Sequence, residues 1–379
     1  MLRRTCIAVL AVLAVLAAAH ASLGAQGVQS ARQLYARAVE LDRRGNAAAA
    51  LSLLWEAAGL APQDGEIQHA LGGALERIGA LEAAVEAYRA AADARPAAPG
   101  AANHLVLALV KAGRSEEAIA RARARAAESP GDPERWFTLG LAQSDVDVDG
   151  AIASFRRVLA IDARHGLARY NLALVFLHSD RLDSALDELQ QALAIQARPE
   201  IHYTLGTVYQ RQGHLDRAVA ALGDAVAANP DYADAHLALG TVLKARGDLK
   251  RAAASLQRAA RLRPDLAAAQ IVLAQTLTLS GDEKAARQAS AAAEQLTMQS
   301  QRSQQAATLT AVGSQKLDAG DAAGAADAFR RATQAFDAFA PAHYQLGRAL
   351  QRLGEHDAAR AAFARAQQLN PALVPPAGR

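Results

Sequence analysis

The sequence predicts an all-α protein, a solenoid of about ten stacked helical hairpins, and three observations carry that expectation. A set of residues recurs every 34 positions along the chain. Two places within each recurrence are held small, almost always as Gly or Ala. The apolar residues are mostly Ala, Leu and Val, since hydrophobic residues make up 51% of the chain and aromatics only 4%. Alanine is the best helix former and leaves little side-chain volume. Such a chain makes many helices that pack closely, and it lacks the bulk for one large central core. No strand-like alternation interrupts the pattern.

The chain opens on a segment of a different kind. Met1 to Thr5 carry two arginines and no acid, and Cys6 to Ala19 form an apolar run of 14 residues. A spanning helix needs about 20 apolar residues, so the run suits the h-region of a signal peptide better than an anchor. Ala19-His20-Ala21 is an A-x-A cleavage site, and cleavage after Ala25 fits nearly as well. Residues 1–25 are therefore expected to be a signal peptide, with cleavage after 21 as the alternative, and 26–30 a short linker. The protein is expected to be exported, to the periplasm or the cell surface; the alternative is an uncleaved anchor in the inner membrane. Cys6 precedes the apolar run, so no lipoprotein cleavage box follows it, and a cleaved chain holds no thiol for a disulfide, a metal or a nucleophile.

The repeat is clearest in two consecutive segments. One carries His202, Leu205, Gly206, Tyr209, Gly213, Ala218, Leu222, Ala225 and Pro230; the next carries His236, Leu239, Gly240, Leu243, Gly247, Ala252, Leu256, Ala259 and Pro264. Counting outward, units begin at Ala31, Gly65, Pro99, Pro133, Gly166, Pro199, Ala233, Ala267, Ala306 and Ala340. The eighth place is small in nine of ten units, with Val106 the exception, and the place that opens the second helix is Ala in all ten, from Ala50 to Ala359. Units one to eight fill residues 31–300, a polar insertion occupies 301–305, units nine and ten fill 306–373, and 374–379 form a tail.

This pattern resembles the tetratricopeptide repeat, W-x2-L-G-x2-Y followed by A-x3-F and P, over residues 31 to 373. The consensus Trp is present once, as Trp136. The resemblance implies a right-handed superhelix of twenty helices, elongated rather than compact. The spacing has a physical cause: two antiparallel helices approach closely only where the facing side chains are small. Gly240 is expected to face Ala252 across its hairpin. Gly213, Gly247, Gly281 and Gly354 are expected to end first helices in the left-handed conformation, and Pro62, Pro96, Pro130, Pro230, Pro264 and Pro371 to stop second helices. The five inserted residues Gln301 to Gln305 either make a hinge between Met298 and Gln305 or lengthen the second helix of the eighth unit.

No constellation for catalysis is visible: there is no H-E-x-x-H, Walker loop or G-x-S-x-G. His202, His236 and His343 share the fourth place of their units, where they replace the consensus Trp as packing residues. Asp145-Val146-Asp147-Val148-Asp149-Gly150 begins like a calcium loop, but Arg156 stands where the bidentate Glu belongs, so a polar turn is expected. No cofactor or metal is expected. Nucleic acid is not expected either: without Arg3 and Arg4 the balance is 39 basic to 38 acidic residues, and no net basic field remains. No other segment resembles a membrane span.

Function is then expected on the surface. The resemblance implies that first helices line a concave groove with their second, fifth, ninth and twelfth places forward. In units four to six the fifth places are Phe137, Tyr170 and Tyr203, the ninth include Leu141 and Leu174, and the sixth are Thr138, Asn171 and Thr204. Aromatic anchors beside amide and hydroxyl groups suit an extended peptide or an amphipathic helix. These eight residues are the candidate partner site, with the last hairpin around Phe363 second. The carboxylate-clamping Lys and Asn set of chaperone adaptors is not assembled, and the asparagine ladder of the sugar-transferase repeats reduces to Asn171. The expected function is a non-catalytic scaffold for a protein partner; the alternatives are a structural component of an envelope assembly or polysaccharide-export machine, or a regulatory subunit of an enzyme.

Overall fold

The structure, a computed structural model, describes residues 27–370 and residue 373. The expected signal peptide, its cleavage sites, Pro371 and the tail 374–379 lie outside the described residues. The chain divides into two compact units, residues 1–168 and 169–379. The described residues of the first unit comprise helices α1 (27–43), α2 (Ala47–Leu60), α3 (Gly65–Arg77), α4 (Leu81–Asp93), α5 (Ala101–Lys111), α6 (Ser115–Glu128), α7 (Pro133–Gln143) and α8 (Val148–Ile161). Helix α9 (Gly166–His178) crosses the division. The second unit continues with α10 (Leu182–Ile195), α11 (Pro199–Arg211), α12 (Leu215–Ala228), α13 (Ala233–Arg246), α14 (Leu249–Leu262), α15 (Ala267–Ser280), α16 (Glu283–Asp318), α17 (Ala322–Ala335), α18 (Ala340–Arg352) and α19 (His356–Leu369). No strand occurs among the described residues. Within each unit consecutive helices pack on one another, which is the hairpin architecture of an α-solenoid.

Local chemistry sets the helix ends. Gly247 and Gly281 have φ of 87° and 84°, a conformation that costs glycine little and other residues more. The aspartate that follows each one caps the next helix: Asp248 accepts from Arg251 N at 3.3 Å and Asp282 from Ala285 N at 3.1 Å. Second helices stop two or three residues before the prolines, as α12 does at Ala228 and α14 at Leu262. The turn between units is tied down from the fourth place of the following unit. Trp136 Nε1 donates to Pro130 O at 3.0 Å, Gln68 Nε2 to Pro62 O at 3.1 Å, and the Nε2 atoms of His236 and His343 lie 3.0 and 2.9 Å from Pro230 O and Asp337 O. His236 and His343 thus take the role of Trp136 at this place, whereas the third histidine expected there, His202, has its Nδ1 3.8 Å from Asp224 Oδ2.

The alanines that open the second helices are all buried, as are the residues at the eighth place. What the eighth-place glycines face differs from the expectation. A Cβ on Gly240 would lie 2.5 Å from Leu256 Cγ, with the carbonyl of Ala252 next at 3.1 Å. The equivalent Cβ would meet Tyr88 at Gly72, Phe155 at Gly140, Leu222 at Gly206, Phe329 at Gly313 and Phe363 at Gly347. The glycine is thus a socket for a large side chain one turn beyond the alanine. Sizes match across the socket: every aromatic knob meets glycine, and where the eighth place is Val106 the knob position holds Ala122. Phe363, at the centre of the second candidate surface, is such a knob and only 7% exposed.

Nineteen helices are described, not twenty, because α16 runs 36 residues without a break from Glu283 to Asp318. It joins the second helix of the eighth unit to the first helix of the ninth. The turn and the hinge between Met298 and Gln305 are absent. Met298 stands where Pro230 and Pro264 end their helices, and Gln301-Arg302-Ser303-Gln304-Gln305 contains neither Gly nor Pro. Among the described residues no helix is long and apolar enough to cross a membrane.

Candidate partner-binding face

The eight predicted residues fall on both sides of the division, and each unit has its own part. In the first unit Phe137, on α7, is half-buried between Phe155 and His165, with ring centroids 5.8 and 5.1 Å away. His165 lies at the end of its repeat. Its Nδ1 accepts Ala168 N at 3.1 Å at the start of α9, which leaves the proton on Nε2, 3.2 Å from Glu134 Oε1. The ring is therefore held in one tautomer and one orientation against Phe137. Leu141, one turn along α7, is half-buried.

In the second unit the tyrosines converge. Tyr170 on α9 places its hydroxyl 3.4 Å from Thr204 Oγ1 on α11. Tyr203, also on α11, packs its ring on Tyr232 with centroids 5.2 Å apart and planes 44° apart. Burial first, then Asp234 and Tyr170, raises the Tyr203 phenol above its ordinary range. Burial first, then Tyr203, Tyr170, Asp234 and Glu200, pushes Tyr232 up to about 12. These two phenols remain protonated at neutral pH and offer O–H donors over an aromatic surface. Leu174 and Asn171 share α9 with Tyr170 and are half-buried.

The polar row differs from the expectation. Thr138 and Thr204 are only 4% and 3% exposed, and their hydroxyls donate back into their own helices, to Glu134 O at 2.9 Å and Glu200 O at 2.8 Å. A threonine inside a helix finds the carbonyl one turn back without leaving its preferred rotamers. Thr207 does the same with Tyr203 O at 3.1 Å. These side chains shape the face from beneath; the accessible polar groups there belong to the tyrosines, Asn171 and the carboxylates of Glu200 and Asp234. Both carboxylates are ion-paired, Glu200 to Arg198 at 3.3 Å and Asp234 to Arg263 at 2.9 Å.

Sequence reasoning missed Tyr232 and His165. Both stand in the last place of a repeat, just before the next first helix, and each packs on the fifth-place aromatic of its own repeat. A search for aromatic or His residues at that place finds them. The Asp145–Gly150 stretch is a polar turn: Asp147 caps α8 through Gly150 N at 3.0 Å and accepts from Gln143 Nε2 at 2.7 Å. Among the described residues no three His, Cys, Asp or Glu side chains are grouped to hold a metal ion.

Paired helices and glycine sockets define a helical-hairpin repeat protein. Models of the tetratricopeptide repeat match residues 65–97, 103–163, 141–208, 203–267, 237–301 and 340–373. The chain belongs to the tetratricopeptide repeat family. It is 27% identical over 164 residues to protein FlbA of Caulobacter vibrioides, an alignment that takes in 43% of this chain and spans 28% of that protein's length. A tetratricopeptide repeat protein of Parabacteroides merdae superposes with a TM-score of 0.52 at 18% identity, covering 66% of this chain and 99% of its own. YrrB, described as a tetratricopeptide repeat protein with an unusual peptide-binding site, gives a TM-score of 0.41 at 21% identity over 46% of this chain and 91% of its own. Tetratricopeptide repeats support a protein–protein interaction scaffold.

Proposed function

We propose that the chain is a non-catalytic scaffold that takes an extended peptide or an amphipathic helix of a protein partner on the face formed by its first helices. The observation that carries this reading is the convergence of Tyr170, Tyr203 and Tyr232 in the second unit. Tyrosines bring large contact area with few rotatable bonds and a hydroxyl that fixes register, which is why they dominate binding hot spots. Leu174 and Asn171 extend this surface along α9, and Phe137 with Leu141 gives the first unit a smaller apolar surface of its own. We further propose, from the composition of residues 1–25, that the protein is exported and meets its partner in the periplasm or at the cell surface.

The test is capture from an envelope extract by the parent protein and by the double variant Tyr170→Ala, Tyr203→Ala. Removing an aromatic anchor costs about 2 kcal/mol or more, so affinity for the captured partner falls about thirty-fold or further. Circular dichroism stays near the parent's, because neither ring fills a glycine socket. Equal capture by both proteins refutes the assignment of the site. Partner captured only from cytoplasmic extract refutes the proposed compartment.

A further inference from the structure

In the first unit, away from the tyrosine cluster, two imidazoles meet end to end. His69 of α3 and His104 of α5 have ring planes 18° apart and centroids 4.8 Å apart, and His69 Nε2 lies 2.5 Å from His104 Nδ1. Two nitrogens in such contact need one proton between them and admit only one: one ring donates its N–H and the other accepts with its lone pair. Both rings also lie against Tyr88 of α4, at 5.5 and 5.6 Å between centroids. Tyr88 is the knob in the Gly72 socket, and its ring closes one side of a cleft walled by Ala38, Leu54, Ala70 and Gly73.

We propose that the His69–His104 pair is a proton-operated latch over this cleft. The neutral pair is closed. One added proton leaves it closed, because a cationic imidazole is a better donor to its neutral neighbour. A second proton removes the only acceptor lone pair and puts two cations in contact, so the rings separate and the Tyr88 ring is uncovered.

The surroundings leave this contact as the group that responds. From α3, Glu76 accepts the Tyr88 hydroxyl at 2.9 Å and pairs with Lys111 of α5; although burial opposes it, these hydrogen bonds hold the carboxyl below its usual range. Arg77 of α3 pairs with Asp42 of α1 at 2.8 Å. Helix α2 presents Leu54 to the cleft. Glu76, already matched by Lys111, also faces His104, whereas no carboxylate acts on His69, so a second cation placed there has no anionic partner. Burial, and then the neighbouring His104, hold His69 below the ordinary imidazole range, in the direction that the second, opening protonation requires.

Imidazole NMR titration of the full chain, with hydrogen exchange followed in parallel, tests the latch. In the parent, the step that charges His69 coincides with faster exchange in α3 and α5 and a change in the Tyr88 ring signals. In His104→Gln, an exposed position where folding is not at risk, the His69 step moves to higher pH and acid no longer changes exchange in these helices. His69→Gln is the mirror variant and abolishes the same acid response. The proposal is overturned if His69 titrates at the same pH in the parent and in His104→Gln, or if both imidazoles charge with no change at Tyr88.

Discussion

At Gly240 a Cβ would lie 2.5 Å from Leu256 Cγ, a distance that no real pair of side chains keeps. The hairpin therefore depends on one missing methyl group and on the knob that fills its place. Gly240→Leu is expected to destabilise the array by about 1–3 kcal/mol through overpacking. The facing residue decides the rescue. Adding Leu256→Ala returns the volume and recovers part of the loss, while Ala252→Gly does not. Denaturant midpoints of the single and double variants measure it; rescue by Ala252→Gly alone would mean that the alanine, not Leu256, faces the glycine. The sequence shows which places are small, because smallness recurs with the repeat. It does not show what each small residue faces, because a helix turn separates Ala252 from Leu256 and periodicity alone does not choose between them. The same limit applies to Thr138 and Thr204: their position on α7 and α11 was legible, but hydroxyls directed into Glu134 O and Glu200 O are a matter of rotamer.

At the scale of the element, the helix ends follow from Gly-Asp pairs and prolines, and the one unexpected element follows from their absence. Helix α16 continues because nothing from Met298 to Gln305 stops it. Residues 297–305 are exposed apart from Ser303, so continuity there rests on backbone hydrogen bonds and helix propensity rather than on packing. Trypsin is expected to spare Arg302 in the folded parent despite its exposure, since a helical backbone does not fit a protease cleft. Gln301→Pro removes one helix hydrogen bond and clashes with the carbonyl one turn back, a cost of about 3 kcal/mol. It should make Arg302 the first site cut. Early cutting at Arg302 in the parent would show that a break exists where the helix is continuous here. The sequence supplied both alternatives for this stretch; the missing proline at Met298, compared with Pro230 and Pro264, was the residue that favours the continuous helix.

For the whole molecule, stability is a sum of neighbour contacts along each unit, and the proposed function rests on a surface assembled from equivalent places of successive hairpins. That is why the repeat, the hairpins and the fifth-place stripe could be read from residue numbers alone. Tyr232 and His165 could not be read in the same way, since they reach the face from inter-repeat turns rather than from the first helices. The central claim is that the partner lies on the first helices of the second unit. The most direct measurement is the hydrogen-exchange footprint of the protein bound to the partner it captures. The expected result is slowed exchange in α9 and α11 and in the turn carrying Tyr232, with α10 and α12 unchanged. A footprint on α10 and α12 that leaves α9 and α11 as they are in the free protein would place the partner on the opposite helices and contradict the account.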